Sequence, residues 1–273
     1  MFLSNCHTHT VYCDGKNTPE EMVRQAVRLN FHSLGFSVHS PMKIENDYAV
    51  RLDKLDTYYN HIERLKKEYQ GSIEIYNGIE LDCDHDDFDY SKFDYVIAAV
   101  HQLHCGNRIY SIDYTADELK RCVDTEFDGS YLAMAKQYFS SLARFVCDIK
   151  PDVVAHADLI TKFNHQDKLF DEDSIEYQMT AKLYLERICL ECPDTIFEVN
   201  TGAMFRCHNP TPYPAGFILK FLNEHNMRIT LSSDSHSTDS LDYGFHEVLD
   251  IIRQAGYNEL YFLDNGEFKP HEI

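Results

Sequence analysis

Phe2-Leu3-Ser4-Asn5-Cys6-His7-Thr8-His9-Thr10 is a short apolar run that closes on His-x-His. In an extended chain residues two apart point to the same side, so both imidazoles can grip one metal ion. Apolar runs of similar character recur at 33–38, 72–79, 95–100, 153–155, 196–200 and 228–232. They are mostly continuous rather than alternating, as parallel strands buried on both faces require. Ligand-type side chains close one run after another. His39 ends the second, Glu80 the third, His101 the fourth and His156 the fifth, while Asp234 and His236 follow the last in Ser232-Ser233-Asp234-Ser235-His236.

Helical segments alternate with these runs. Thr18-Pro19-Glu20-Glu21 joins an N-cap, a proline at the first helical position and a capping-box glutamate, and the helix it starts is predicted to end near Asn30. Residues 51–69 place Leu52, Leu55, Tyr59, Ile62 and Leu65 on one stripe, with Gly71 as a stop. Thr115-Ala116-Asp117-Glu118 reads as a second capping box. Residues 131–149 carry Leu132, Ala135, Phe139, Leu142 and Val146 at helical spacing before Pro151, and helical patterns also fit 174–191, 215–226 and 244–255. The stripes are expected to be core packing.

Seven strands alternating with helices predict an α/β fold with a parallel sheet, closed or nearly closed, and the metal site at the C-terminal rim of the strands. Strand ends of a parallel barrel converge there, so residues far apart in sequence meet. The 273 residues read as one domain, 1–273, with an insertion at 102–150 over one end of the barrel. The acidic stretch 82–94 is expected to be a solvated loop near the site, because it follows Glu80.

Composition narrows the function. With 44% hydrophobic and 26% charged residues the chain is of ordinary globular type. It has 45 acidic against 25 basic residues, a formal charge of -20, which repels nucleic acid and anionic membrane. A small anionic substrate remains compatible if metals reverse the sign locally. Nine cysteines without a regular framework, no secretory signal at the start and no long apolar span lead us to expect a cytoplasmic protein with reduced thiols. Cys189 and Cys192 form a lone C-x-x-C with no second pair, read as incidental. Oligomeric state is left open.

The candidate metal ligands are therefore His7, His9, Asp14, His39, Glu80, His101, His156, Asp234 and His236. Asp14 lies in a Gly15-containing turn and could equally serve as a turn or cap residue. Nitrogen and carboxylate donors without an arranged thiolate suit Zn, Mn or Fe and argue against Ca or Mg alone. So many donors exceed the coordination of one ion, so two or three divalent ions are expected, with Glu80 and Asp234 as natural bridges. The other histidines, His32, His61, His85, His165, His208, His225, His246 and His271, lack such placement, and surface roles are expected for most of them.

These motifs resemble those of the PHP superfamily (polymerase and histidinol phosphatase): His7-Thr8-His9-Thr10 with Asp14-Gly15, Ser37-Val38-His39-Ser40, Asn77-Gly78-Ile79-Glu80, Ala99-Val100-His101, Ala155-His156-Ala157-Asp158 and Ser233-Asp234-Ser235-His236. The resemblance implies a distorted (β/α)7 TIM-like barrel with a trinuclear site. It implies that His7, His9, Glu80 and Asp234 hold one metal, Glu80, His101 and His156 a second, and Asp14, His39 and His236 the third. Within the superfamily the chain looks most like the histidinol-phosphate phosphatases. The grounds are its length, Ser40-Pro41, the long stretch after His101, the segment 156–163 and Glu198-Val199-Asn200-Thr201-Gly202.

That resemblance implies a phosphomonoesterase acting on L-histidinol phosphate, with a metal-bridging hydroxide as nucleophile. Glu80, Asp234 and His236 are the expected catalytic groups, the leaving oxygen taking its proton from a metal-bound water, Asp234 or a histidine. Lys162 and Arg206, just past strand ends, are the expected cationic clamps. Ser40 and Asp113 are further expected substrate contacts, and Tyr110 and the 82–94 loop are candidates for the amine and imidazole. Neither a G-x-S-x-G elbow nor a P-loop is present. Two rivals are a phosphoesterase of the same architecture acting on nucleotides or short oligonucleotides, and an amidohydrolase. A metal-bound, non-catalytic module is a third.

Overall fold

A computed structural model describes residues 2–44 and 46–273. After β1 (Ser4–Asn5), the chain forms α1 (Pro19–Arg28), β2 (Ser33–His39), α2 (Leu55–Glu68), β3 (Glu74–Asp82) and β4 (Tyr95–Ala99). A hairpin of β5 (Gln102–Cys105) and β6 (Arg108–Ser111) follows, then α3 (Ala116–Glu126), α4 (Tyr131–Ile149) and β7 (Val153–Val154). The remainder is α5 (Asn164–Asp167), α6 (Ile175–Glu191), β8 (Ile196–Asn200), α7 (Gly202–Phe205), α8 (Gly216–Glu224), β9 (Arg228–Ser232), α9 (Phe245–Gln254), β10 (Glu259–Asp264) and β11 (Glu267–Glu272).

The main sheet runs β1-β2-β3-β4-β7-β8-β9, all parallel. Its two edges meet beyond the strand ends, where His9 N donates to Ser235 O (2.8 Å) and Ser235 N to His7 O (3.1 Å). The ring is thus a nearly closed seven-stranded barrel, and the closing bridge Thr8–Ser235 lies beside the residues expected to bind metal. Full burial along β2, β8 and nearly all of β3 matches strands covered on both faces.

Alternation sorts each strand. On β2 and β3, Leu34, Phe36, Val38, Ile75, Ile79 and Leu81 join the large core under the helices. The opposite parity faces the lumen, where Cys6, Tyr76, Tyr95, Ile97, Ala99, Val153, Ala155, Ile196 and Leu263 form a second, smaller cluster. Tyr95 crosses this lumen, its hydroxyl donating to Cys6 O (2.5 Å) and Phe36 O (3.2 Å). A Cβ on Gly35 or Gly78 would fall 2.3 and 2.2 Å from the Tyr95 phenol, so glycine on two neighbouring strands makes room for one ring.

Local signals explain the helices. Thr18 and Glu21 form the full capping box of α1. Thr115 caps α3, but the Glu118 carboxylate accepts from Ser111 N (3.1 Å) and ties α3 to the β5–β6 hairpin. The stripe predicted for 51–69 is shifted: Leu52 is exposed in a preceding 3-10 turn, and Tyr58 rather than Tyr59 is fully buried. Leu132 at the start of α4 is also exposed. Within 102–150, the hairpin and α3 lie beside the rim, whereas α4 carries a long apolar stripe into the core, packed against α6 and β4. No helix among the described residues is long and apolar enough to cross a membrane.

Candidate metal centre

Lumen parity delivers Glu80 from β3, His39 from β2, His101 after β4 and Asp234 after β9. His156 needs a further device. Val153 and Ala155 already face the lumen, so a regular strand would turn His156 away. Its backbone instead enters the left-handed region (φ 21°), as does that of Asp234 (φ 47°). For non-glycine residues such geometry costs energy, roughly 1–2 kcal/mol each, and is tolerated where the surroundings enforce it.

Glu80 lies at the middle. Its Oε2 is 3.3 Å from His7 Nε2, 3.5 Å from His9 Nε2 and 2.8 Å from His39 Nδ1. Its Oε1 is 3.3 Å from His156 Nε2 and 3.6 Å from His101 Nε2. Asp234 Oδ1 is 3.2 Å from His9 Nε2, 3.6 Å from His7 Nε2 and 3.5 Å from His236 Nδ1. Asp14 completes the outer edge, 3.1 Å from His236 Nε2 and 3.6 Å from His39 Nε2. All nine predicted ligand residues therefore meet in one place. They overlap in groups that include His7, Glu80 and His156; His7, His9 and Asp234; His39, Glu80 and His101; and His9, Asp14, His39 and His236. His9 thus adjoins Asp14, His39 and His236 as well as Asp234.

The donor set fits divalent ions. His7 Nε2, His9 Nε2 and Glu80 Oε2 are buried without a hydrogen-bond partner among the described residues, a costly arrangement unless something binds between them. Most of the separations are also longer than the roughly 2.7–2.9 Å of a charge-assisted N–H···O bond. They approach the roughly 3.3 Å between ligand atoms around a tetrahedral ion with bonds near 2.0–2.1 Å. Behind the donors stand two further carboxylates. His7 Nδ1 donates to Glu198 (2.6 Å) and His101 Nδ1 to Asp82 (2.7 Å), which turns each Nε2 towards the site as the nitrogen that would bind an ion. Glu198 also accepts from His156 N (2.9 Å), Asn200 Nδ2 (2.9 Å) and Ser232 Oγ.

Charge is tightly coupled. Burial opposes ionisation of Glu80, yet His39 and His7 hold its pKa well below the ordinary carboxylate value. Burial likewise opposes ionisation of Asp234, but Arg206 and His7 hold it low. Burial, with His39 and His236 nearby, pushes His9 down to about 3, so its imidazole is neutral and ready to donate a lone pair. Burial disfavours the charged form of His101, but its bond to Asp82 and the charge of Glu80 push it up to about 10.

The centre opens into a cavity of about 630 Å³. Lys162, Arg206 and Asp113 line it, together with Tyr48, Gln102 and Glu118. Lys162 Nζ donates to Asp113 O (2.7 Å) and lies 3.3 Å from Asp113 Oδ2. Burial works against the Asp113 anion, but Lys162 and His101 hold it down to about 2. Arg206 is bound to Asp234, Nη2 to Oδ2 at 2.8 Å. Gly202 permits this approach, since a Cβ there would lie 2.8 Å from Arg206 Nη2.

Three expected contacts are not brought to the cavity. Ser40 is fully buried, its Oγ accepting from Asp82 N (3.2 Å). Tyr110 donates to Glu126 (2.7 Å) away from the cavity. No residue of 82–94 lines it, and Asp82 and Asp84 are buried rather than solvated, Asp84 pairing with His104 (2.5 Å). Conversely, the supporting roles of Glu198 and Asp82 and the wall residues Tyr48, Gln102 and Glu118 escape the sequence reading. For Glu198 and Asp82 the available signal was strand parity, because each shares the lumen face with a neighbouring ligand or polar residue.

Known proteins agree with this architecture. A histidinol-phosphatase of Bacillus subtilis (strain 168) is 26% identical over 270 residues, covering 89% of this chain and 97% of the relative. A histidinol-phosphatase of Lactococcus lactis subsp. lactis is 23% identical, covering 93% and 91%. Among solved structures, the histidinol phosphate phosphatase of Lactococcus lactis complexed with Zn, L-histidinol and phosphate superposes with a TM-score of 0.75 at 20% identity, over 98% of each chain. Residues 5–195, well over half of the sequence, match the PHP domain, and with the barrel and its rim of histidines and carboxylates the chain belongs to the PHP domain family.

Proposed function

We propose that this protein is a metal-dependent phosphomonoesterase that hydrolyses L-histidinol phosphate to L-histidinol and phosphate. The observation that carries the reading is the meeting of nine ligand-type side chains at one rim, seven of them lining a cavity that Lys162 and Arg206 also line. The substrate is carried by relatives named for it that match almost end to end. The Lactococcus complex with Zn, L-histidinol and phosphate favours Zn as one of two or three ions held by His7, His9, Asp14, His39, Glu80, His101, His156, Asp234 and His236.

Bound there, divalent ions would bring the pKa of water towards neutrality and offset charge on the phosphoryl oxygens. The chain's own groups then divide the remaining work. Lys162 offers a cation to the phosphoryl group beside the metal donors. Arg206 orients Asp234 and keeps it ionised, which suits a ligand or proton acceptor rather than an acid. His236 Nδ1 lies 2.9 Å from Asp234 O, so a role at Nε2 would leave its other nitrogen as the donor to that carbonyl. The proton for the leaving alkoxide is therefore assigned to solvent in the cavity. Asp113 and Glu118 put negative charge where the amine and imidazole of histidinol would lie, and Tyr48 adds an aromatic face. The remaining part of this reading is one domain, with the β5–β6 hairpin and α3 as the wall that shapes specificity, working in the cytoplasm on a small substrate.

Inorganic phosphate release from L-histidinol phosphate, run beside p-nitrophenyl phosphate and mononucleotides after reconstitution with Zn or Mn, tests the proposal. A strong preference for histidinol phosphate is expected. Turnover of nucleotides alone would keep the metal centre and overturn the substrate, and no phosphate from any ester would overturn phosphatase activity itself.

A further inference from the structure

At the opposite end of the barrel, the base of the strands, a second group of metal-ligand side chains converges. His32 Nε2 lies 3.3 Å from Asp264 Oδ1 and 3.7 Å from Glu74 Oε1. His271 Nε2 lies 3.6 Å from Asp264 Oδ2 and is a buried atom with no hydrogen-bond partner among the described residues. The donor atoms of His32, Glu74 and Asp264 all fall within 4.8 Å of one another.

We propose that His32, Glu74, Asp264 and His271 form a further, structural metal site of two imidazoles and two carboxylates that fastens the C-terminal β10–β11 hairpin to the base of the barrel.

Geometry distinguishes this from a set of surface ion pairs. Where imidazole and carboxylate pair directly in this protein they close to hydrogen-bond length, 2.7 Å for both His61–Glu20 and His101–Asp82. At the base the separations are 3.3–3.7 Å, which leaves these bonds unmade and resembles the spacing of ligands around an ion. The supporting contacts follow the same logic. Glu74 Oε2 is already taken by Tyr76 Oη–H (2.5 Å) and Asn265 N–H (2.9 Å), which fixes the carboxylate with Oε1 towards His32. Phe2 packs against both imidazoles, 4.3 Å from the His32 ring and 3.7 Å from the His271 ring by centroid, which restricts their rotation.

The donors come from separate parts of the fold. His32 precedes β2, Glu74 starts β3, Asp264 ends β10 and His271 lies on β11 opposite Leu260. An ion joining them would link the hairpin to two barrel strands, beside the existing contact of Ser33 Oγ–H with Leu263 O (2.7 Å). This donor set suits Zn or a similar borderline cation. The site is independent of whatever the rim hydrolyses.

The test uses the full-length protein and Zn(II) alone. His32→Gln and Asp264→Asn are compared with wild type for Zn per chain by elemental analysis, for Zn-dependent hydrogen exchange of 259–272, and for phosphatase activity. Expected is a loss of one equivalent of Zn in either variant, loss of the Zn-induced protection of the hairpin, and turnover within about twofold of wild type. Equal stoichiometry and equal protection in both variants would overturn the proposal. Should either variant fail to fold, Zn titration of wild type decides. Protection of 259–272 that continues beyond the equivalents saturating activity supports the site, and its absence refutes it.

Discussion

Replacing Glu198 by Gln is the sharpest perturbation the structure offers, because it changes one atom that touches no substrate. Glu198 is fully buried and accepts from four donors: His7 Nδ1 and Ser232 Oγ on Oε1, His156 N and Asn200 Nδ2 on Oε2. A carboxamide has one oxygen and one NH2, so whichever way it turns, a donor meets donors. With the NH2 towards His7, the imidazole must shift its proton to Nε2 and lose the lone pair that faces Glu80 and Asp234. With the NH2 towards Asn200, relief requires that amide to flip, yet Asn200 Oδ1 is held by Gly202 N–H (2.8 Å). Losing such an outer partner typically lowers metal affinity by roughly 10–100-fold, or about 1.4–2.7 kcal/mol. Activity measured against buffered free Zn should therefore need that much more metal to reach half its maximum, with turnover largely restored at saturation. An unchanged Zn dependence in a folded E198Q protein would refute the assignment of His7 as a ligand held in one tautomer by Glu198.

Three further outcomes follow from the same geometry. Chelation should abolish turnover and lower the melting temperature, since it leaves Glu80, Asp234 and Asp14 crowded without their cations, and Zn should restore both in differential scanning fluorimetry and phosphate release. Gly78→Ala would place a methyl 2.2 Å from Tyr95 Cζ, and the phenol cannot retreat while bound to Cys6 O and Phe36 O; overpacking of this kind costs roughly 1–3 kcal/mol, readable as a lower denaturation midpoint. Asp113→Asn should raise KM for histidinol phosphate about tenfold, or about 1.4 kcal/mol, with little effect on p-nitrophenyl phosphate, which carries no cationic group for Asp113 to meet.

The rim was legible in the sequence because few side chains can serve as metal donors and because strand periodicity forces them onto one end. The helix starts were legible for a similar reason: Thr18 and Ser174 have few competitors as caps. What escaped was mostly cooperative. Tyr95, Gly35 and Gly78 fit only as a triple drawn from three strands, and no member is unusual alone. The terminal hairpin did carry a local signal, Asn265-Gly266, both with positive φ as its two-residue turn requires, between two short apolar-containing runs. Its neighbour Asp264 gains meaning only from His32 and Glu74, which are remote in sequence.

The misplaced substrate contacts expose one cause. Ser40 is expected at the cavity because it follows His39, yet adjacent residues at a strand end face opposite ways, so a ligand's immediate neighbour is the position least able to share its cavity. Instead it holds the backbone of Asp82, and Asp82 holds His101. The same parity, applied to β8, sends Phe197 and Val199 into the core and leaves Glu198 and Asn200 for the lumen. Glu198 then reaches His7 across the barrel and the His156 backbone next door. Chemistry at the rim is thus supported by residues that share the lumen face of the strands. The natural place to seek further supporting groups in such a barrel is among the lumen-facing positions of its strands, those without a ligand included, rather than beside a ligand.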